Sequence, residues 1–324
     1  MRDATERPLL FADLETTGHD PLRRVGEHIE PWHEIIDIGA LLVEQRTLRV
    51  IGEFERKIRA RHPERCLPNL VNNYYARALI GEWDKAVSLE DAITDFLVFA
   101  GRMGVPSFSG GENFFFDWGF LLVAFASCGV SEADWKGSLH YKRFDTGSMA
   151  IQEFRRPGQV VAPEEFSLRN GSLVKKLDLE PEPKVHAAIN GARKAFEVYK
   201  KLMYKKLEKA LKNASGKDTC WPGCAKDWSL ENPAWGHCVM YMLYANEFFG
   251  GDIIFVEAVL PSGAVIPHYF NCLSGEDMDF SGSQFEKGTE FRGRKIVTRE
   301  YVLSLPDNEA GRYEIFKQRV SSIL

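Results

Sequence analysis

Residues 7–18, "RPLLFADLETTG", decide the fold of this chain. A short apolar run closing on Thr-Thr-Gly reads as a buried strand whose end presents polar side chains. Side chains alternate across a strand, so Asp13 and Glu15 project to one face. Two hard oxygen ligands on one rigid element are a common start for a Mg²⁺ site. Acidic alternation on an exposed strand is also common, so the pair needs company before it means anything.

Working outward, "HEIIDIGALLVEQRTLRVIGEFERKI" (33–58) gives two alternating or apolar runs around a polar turn, a hairpin that adds two strands. "SLEDAITDFLVFAGRM" (88–103) has helical spacing, started by Ser88 with acids in its first turn. "GVPSFSGG" (104–111) reads as a strand, and "FFFDWGFLLVAFASCG" (114–129) as an apolar helix ending at Gly129. Strands followed by alternating helix and strand predict an α/β layer around a central mixed sheet. A long helix follows from Ala192 to about Asn213, basic along 193–213. That basic face suits nucleic acid or, equally, plain solvation. After it, "NASGKDT" carries no periodicity, which predicts domains at 1–213 and 219–324 joined by a linker at 214–218.

At 324 residues, two domains are the default expectation. The N-terminus lacks a secretory signal pattern and no apolar run would span a bilayer, so a cytoplasmic protein without a membrane partner is expected. Six scattered cysteines do not make a disulfide framework. A net charge of −5 argues against a surface that grips nucleic acid everywhere, while leaving room for a local basic face.

The company of Asp13 and Glu15 is "ENFFFDWGFLL" with Asn113 and Asp117, "KRFDT" with Asp145, "SLRNGSLVKKLDL", and "VHAAINGARKAF" with His186, in that order. Over roughly residues 8–210 this order resembles the DEDDh family of 3′–5′ exonucleases, the proofreading-subunit and RNase T type. The resemblance implies a ribonuclease H-like fold and two divalent cations, Mg²⁺ or Mn²⁺. Asp13 would bridge the ions, Glu15 and Asp117 would each support one, and His186 would accept a proton from the attacking water. It implies 3′ ends of single-stranded DNA or RNA as substrate, with homodimers common in the family. Thr16, Thr17, Gly18, Asn113 and Phe114 are the candidates for holding the terminal nucleotide, the phenylalanine by stacking on its base.

The family places an aspartate five residues after the histidine, and this chain has Gly191 there. The neighbouring Asn190 diverges by about 100° on a helix and brings no charge. Three carboxylates would then face two ions, so the first cation site is expected to be weak and cleavage slow. The alternatives are a catalytically impaired nucleic-acid-binding protein, or a deliberate inactivation, for which alanine or asparagine would be the commoner choice.

Beyond residue 219, "SLENPAWGHCVMYMLYANEFFGGDI", "PHYFNCL" and "EDMDFSGSQF" resemble the YunG-like family, and their pattern predicts a smaller α+β domain. Cys238 stands at a helix start, where the dipole favours a thiolate. His268 lies on a later strand and Asp279 follows. That is the residue logic of a papain-like thiol hydrolase. A structural or partner-binding module, or a zinc site using Cys220, Cys224 and Cys238 with His237 or His268, competes with it.

Overall fold

The computed structural model describes residues 6–70, 72–156, 158–160, 162, 172–183, 186–307 and 309–324. The 167–171 part of "SLRNGSLVKKLDL" and Val185 lie outside the described residues. Contacts divide the chain into two compact units, Met1–Leu202 and Met203–Leu324. Among the described residues no helix is long and apolar enough to cross a membrane.

The first unit is built on strands β1 (Leu9–Thr16), β4 (Ile35–Val43), β5 (Val50–Lys57), β6 (Ser107–Gly111) and β7 (Leu139–Asp145), in the order β5-β4-β1-β6-β7. β1 runs antiparallel to β4 and parallel to β6, so the sheet is mixed. A separate ribbon, β2 (Leu22–Val25) with β3 (His28–Pro31), interrupts the return from β1 and was not marked by any apolar alternation. The inner strand β4 is buried at every position, which only a sheet covered on both faces allows.

Helices α2 (Leu89–Gly101) and α3 (Phe114–Ser127) pack their apolar residues against that sheet in one core with Leu10, Ile38 and Phe54. Ser88 caps α2 by accepting from the Asp91 N–H at 3.1 Å. Asp145 performs two such tasks. Its carboxylate accepts from the Phe114 N–H at 2.9 Å, opening α3, and from the Ser148 N–H at 2.7 Å, opening α5 (Thr146–Phe154).

Helix α7 (Ala188–Ala214) begins earlier than its sequence pattern suggested, directly after the His186 segment. Gly39 on β4 makes that start possible: a Cβ there would lie 2.1 Å from the Ala188 carbonyl carbon, so only glycine lets the helix end meet the sheet. The division between units falls inside α7 rather than at 214–218. Beyond Leu202 the helix belongs to the second core, where Tyr204 packs edge-on against Phe249 and Phe280.

The second unit folds around α8 (Cys238–Phe249) and an antiparallel sheet of β8 (Asp252–Val259), β9 (Val265–Leu273), β10 (Glu276–Met278) and β11 (Glu290–Val297), ordered β10-β9-β8-β11. The helix is apolar nearly all round, with Met240 to Ala245 all buried, because β9 and α10 (Glu309–Ile323) both pack on it.

Candidate active sites

In the first unit a cavity of about 280 Å³ opens where β1, the start of α3 and the start of α7 meet. Asp13 and Glu15 reach it from alternate positions of β1, Asp117 from the first turn of α3, and His186 from the segment before α7. These four sequence-predicted residues therefore share one wall. β1 carries a register shift between Glu15 and Thr16, an irregularity of the kind that re-aims side chains beside a site.

The cavity holds three groups that the sequence did not flag: His19, Glu112 and Glu182. Glu182 lies 3.5 Å from His186 Nδ1. Five carboxyl groups thus surround one space. Burial first, then repulsion from Asp117, Glu15, Glu182 and Glu112, pushes Asp13 well above the usual carboxylate range. Asp117 is also pushed well above it, chiefly by burial, although the Leu14 N–H donates to its Oδ1 at 3.0 Å and opposes the shift.

Position 191 is not the empty slot that the sequence suggests. A Cβ on Gly191 would lie 2.3 Å from Asp13 Oδ2 and 2.5 Å from its Cγ. The Asp13 carboxyl occupies that seat, and any side chain at 191 must displace it. Nor is negative charge short, since Glu112 and Glu182 line the same cavity.

A buried polar chain fixes the His186 segment. Asp37, fully buried on β4, accepts from the Ala188 N–H at 3.3 Å and pairs with Lys57 at 3.1 Å. Lys57 pairs in turn with Glu82 at 3.1 Å, and Glu82 accepts from Arg77 Nε at 2.7 Å. Arg77 donates to the His186 carbonyl and, at 3.0 Å, to that of Asn72. The histidine's backbone is held from both sides by residues far away in sequence.

The predicted nucleotide contacts fare differently. Asn113 lines the cavity in a left-handed conformation, φ 50°, at the mouth of α3. Phe114 is 2% exposed and packs on Trp118, so it cannot stack on a base; Phe116 lines the cavity instead and Phe115 faces solvent. Helix rotation decides this, one residue turning the ring by about 100°. Thr16 and Thr17 are buried with their hydroxyls engaged, the first donating to the Gly18 carbonyl at 2.7 Å and the second accepting from the Glu34 N–H at 2.8 Å. Gly18 is covered by the His33 ring.

The donor set suits a hard divalent cation, being carboxylate oxygens in a partly buried acidic cavity. Among the described residues no three His, Cys, Asp or Glu side chains yet converge as a ready metal shell.

In the second unit Cys238 is the first residue of α8 and half-buried. His268, on β9 and fully buried, has Nε2 2.7 Å from Asp279 Oδ2. Asp279 is itself held by the Ser281 N–H and hydroxyl at 2.9 and 2.8 Å. Burial would lower the His268 pKa, but the Asp279 carboxylate bonded to Nε2 and the nearby Cys238 thiol override it and raise the ring to about 9. The zinc reading finds no support in this geometry. His237 is engaged through both ring nitrogens, with Thr219 and the Trp235 carbonyl at 3.0 Å each, and burial pushes the Cys220 and Cys224 thiols up to about 12 and about 11.

Comparison with solved structures finds similarity to the nuclease domain of 3′hExo, a DEDDh family member bound to rAMP (12% identity, TM-score 0.46, 63% of this chain and 94% of that one). A full-length 3′-exonuclease is similar at 13% identity and TM-score 0.44, over 63% of each chain. Exonuclease I of E. coli in complex with a dT13 oligonucleotide is similar at 15% identity and TM-score 0.46, over 98% of this chain and 70% of that one. No curated protein matches the chain. The family described as YunG protein matches residues 203–324, the same residues that the contacts set apart as the second unit.

Proposed function

We propose that the first unit is a divalent-cation-dependent 3′–5′ exonuclease for single-stranded DNA or RNA, releasing nucleoside 5′-monophosphates slowly. The observation that carries this reading is the meeting of Asp13, Glu15, Asp117 and His186 in one acidic cavity, from three elements spread over most of the unit. Asp13, Glu15 and Asp117 would hold the cations. When bound, these supply charge for the anionic phosphate and a more acidic water.

The chain's own residues do the rest. His186, its backbone clamped by Arg77 and its Nδ1 turned toward Glu182, presents Nε2 to take the proton of the attacking water. Glu112 and Glu182 bring the negative charge that position 191 lacks, which favours cleavage over loss of function. Asn113 and Phe116 replace Phe114 as the residues that would touch the terminal nucleotide.

Purified full chain given 5′-labelled single strands with Mn²⁺ or Mg²⁺ should shorten them stepwise from the 3′ end. His186→Ala should slow this by roughly 10²- to 10⁴-fold. Retained binding without shortening, in both cations, would support a nucleic-acid binder that no longer cuts, a reading to which Gly191 gives its weight.

A further inference from the structure

The second unit carries a separate constellation. Cys238, His268 and Asp279 follow one another as thiol, ring and carboxylate, and Cys238 borders a cavity of about 170 Å³. Its wall includes Trp221, Trp235, Ile266 and Tyr269, and the charged groups around it are already paired: Asp307 with Trp221 Nε1 at 2.8 Å, and Glu309 with Arg312 at 2.5 Å. What enters is therefore selected by apolar contact.

Gln284 supplies an independent observation. It lines the same cavity at 6% exposure, its Oε1 accepts from the Gly236 N–H at 3.4 Å, and its Nε2 has no hydrogen-bond partner. An amide donor buried without a partner is costly unless a ligand acceptor meets it. The Cys238 N–H, at the first position of α8, has no carbonyl within the helix to bond. A thiol sharing one cavity with two such donors has what an acyl-transfer centre needs: a nucleophile, and N–H groups for the oxygen that becomes negative. Gly236 closes the arrangement. With φ at 68° it allows Cys220 and Cys224 to pack behind the turn, where a Cβ would lie 2.6 Å from Cys220 Sγ. That gives these two cysteines a structural task.

We propose that the second unit is a thiol acyl-hydrolase acting on amides or esters of apolar acyl groups, with Cys238 as nucleophile, His268 as proton carrier, Asp279 as positioning residue and Gln284 as oxyanion donor. His268 Nδ1 holds the thiol proton beforehand, so Cys238 attacks as a thiolate; the Sγ–carbonyl carbon bond forms as the carbonyl oxygen takes the charge, and His268 delivers its proton to the departing nitrogen or oxygen as the acyl bond breaks. Water then attacks the thioester carbon, its proton passes through His268 to Sγ, and the carboxylic acid leaves. A cavity of about 170 Å³ is below the usual range for a whole ligand, so it accepts one acyl side chain.

Two reagents applied to the full chain test this. Iodoacetamide should alkylate Cys238 at pH 6 about 10²-fold faster than Cys272, with a flat pH profile that Asp279→Asn turns into the rising profile of an ordinary thiol. An apolar p-nitrophenyl ester should give a burst of one p-nitrophenolate per chain, absent in Cys238→Ala. Gln284→Ala should cut that acylation by about 10²-fold while leaving alkylation unchanged, because alkylation develops no oxyanion. Alkylation of Cys238 no faster than Cys272, absence of a burst, or a burst that survives Cys238→Ala would each overturn the proposal.

Discussion

The two cavities treat charge in opposite ways. In the first unit five carboxyl groups face one another around His186, and Asp13 is forced up by burial and repulsion. In the second, His268 and Asp279 compensate each other at 2.7 Å and the wall charges are paired. On the proposed function the first site would be completed by cations from solution; the other is closed on itself. Neutralising a carboxyl should therefore relieve the first unit and damage the second.

The largest effect is expected where compensation is tightest. Asp279→Asn leaves a fully buried His268 without its charged partner and should cost the second unit roughly 2–3 kcal/mol, below the full range for a broken buried pair because Asp279 is partly exposed. The pH dependence has a definite sign. His268 is raised to about 9, so the pair's contribution is fully present below the unfolded histidine value near 6.5 and disappears as pH rises through about 9. Thermal melting of wild type and variant between pH 6 and 10 should show the gap closing at the alkaline end.

A smaller effect sharpens the account of the first site. Gly191→Ala places a methyl in the seat of the Asp13 carboxyl and should weaken Mn²⁺ binding by about tenfold, on the order of 1.4 kcal/mol. Titration of the metal against cleavage rate would read this as a shifted midpoint with little change at saturation. An unchanged midpoint would mean that Asp13 does not depend on that seat.

Much of this was legible in the sequence, for identifiable reasons. Period-two alternation fixed the side on which Asp13 and Glu15 emerge, and the apolar stripe of 114–129 placed Asp117 in a first helical turn. Ser88 announced its helix by the capping pattern. The parts that stayed hidden depend on contacts between distant segments. Glu182 sits among prolines in a stretch without periodicity, so nothing local ties it to His186. Arg77, Lys57 and Asp37 read as ordinary charges until the fold strings them together. The threonines after Glu15 look exposed because a strand ending in Thr-Thr-Gly normally is, and the register shift with its Glu34 contact buries them. Gln284 needs the fold to bring it to the start of α8. Cys238, His268 and Asp279 could be named but not joined, since nothing in sequence measures the gap between a helix start and a strand.

The central claim is that the burial and carboxylate repulsion that raise Asp13 and Asp117 in the first unit's acidic cavity are what a bound divalent cation would relieve. Because the Asp13 pKa is raised on folding, its ionised form opposes folding above the unfolded carboxylate value, fully so above the folded one, and not at lower pH. Melting of the full chain at pH 7.5, wild type against Asp13→Asn, with chelator and then with Mn²⁺, tests this directly. In chelator Asp13→Asn should melt higher by about 2–4 °C, what 1 kcal/mol is worth in a unit of this size, and Mn²⁺ should raise the wild type strongly and the variant little. A variant that melts lower in chelator, or that responds to Mn²⁺ as the wild type does, would contradict the claim.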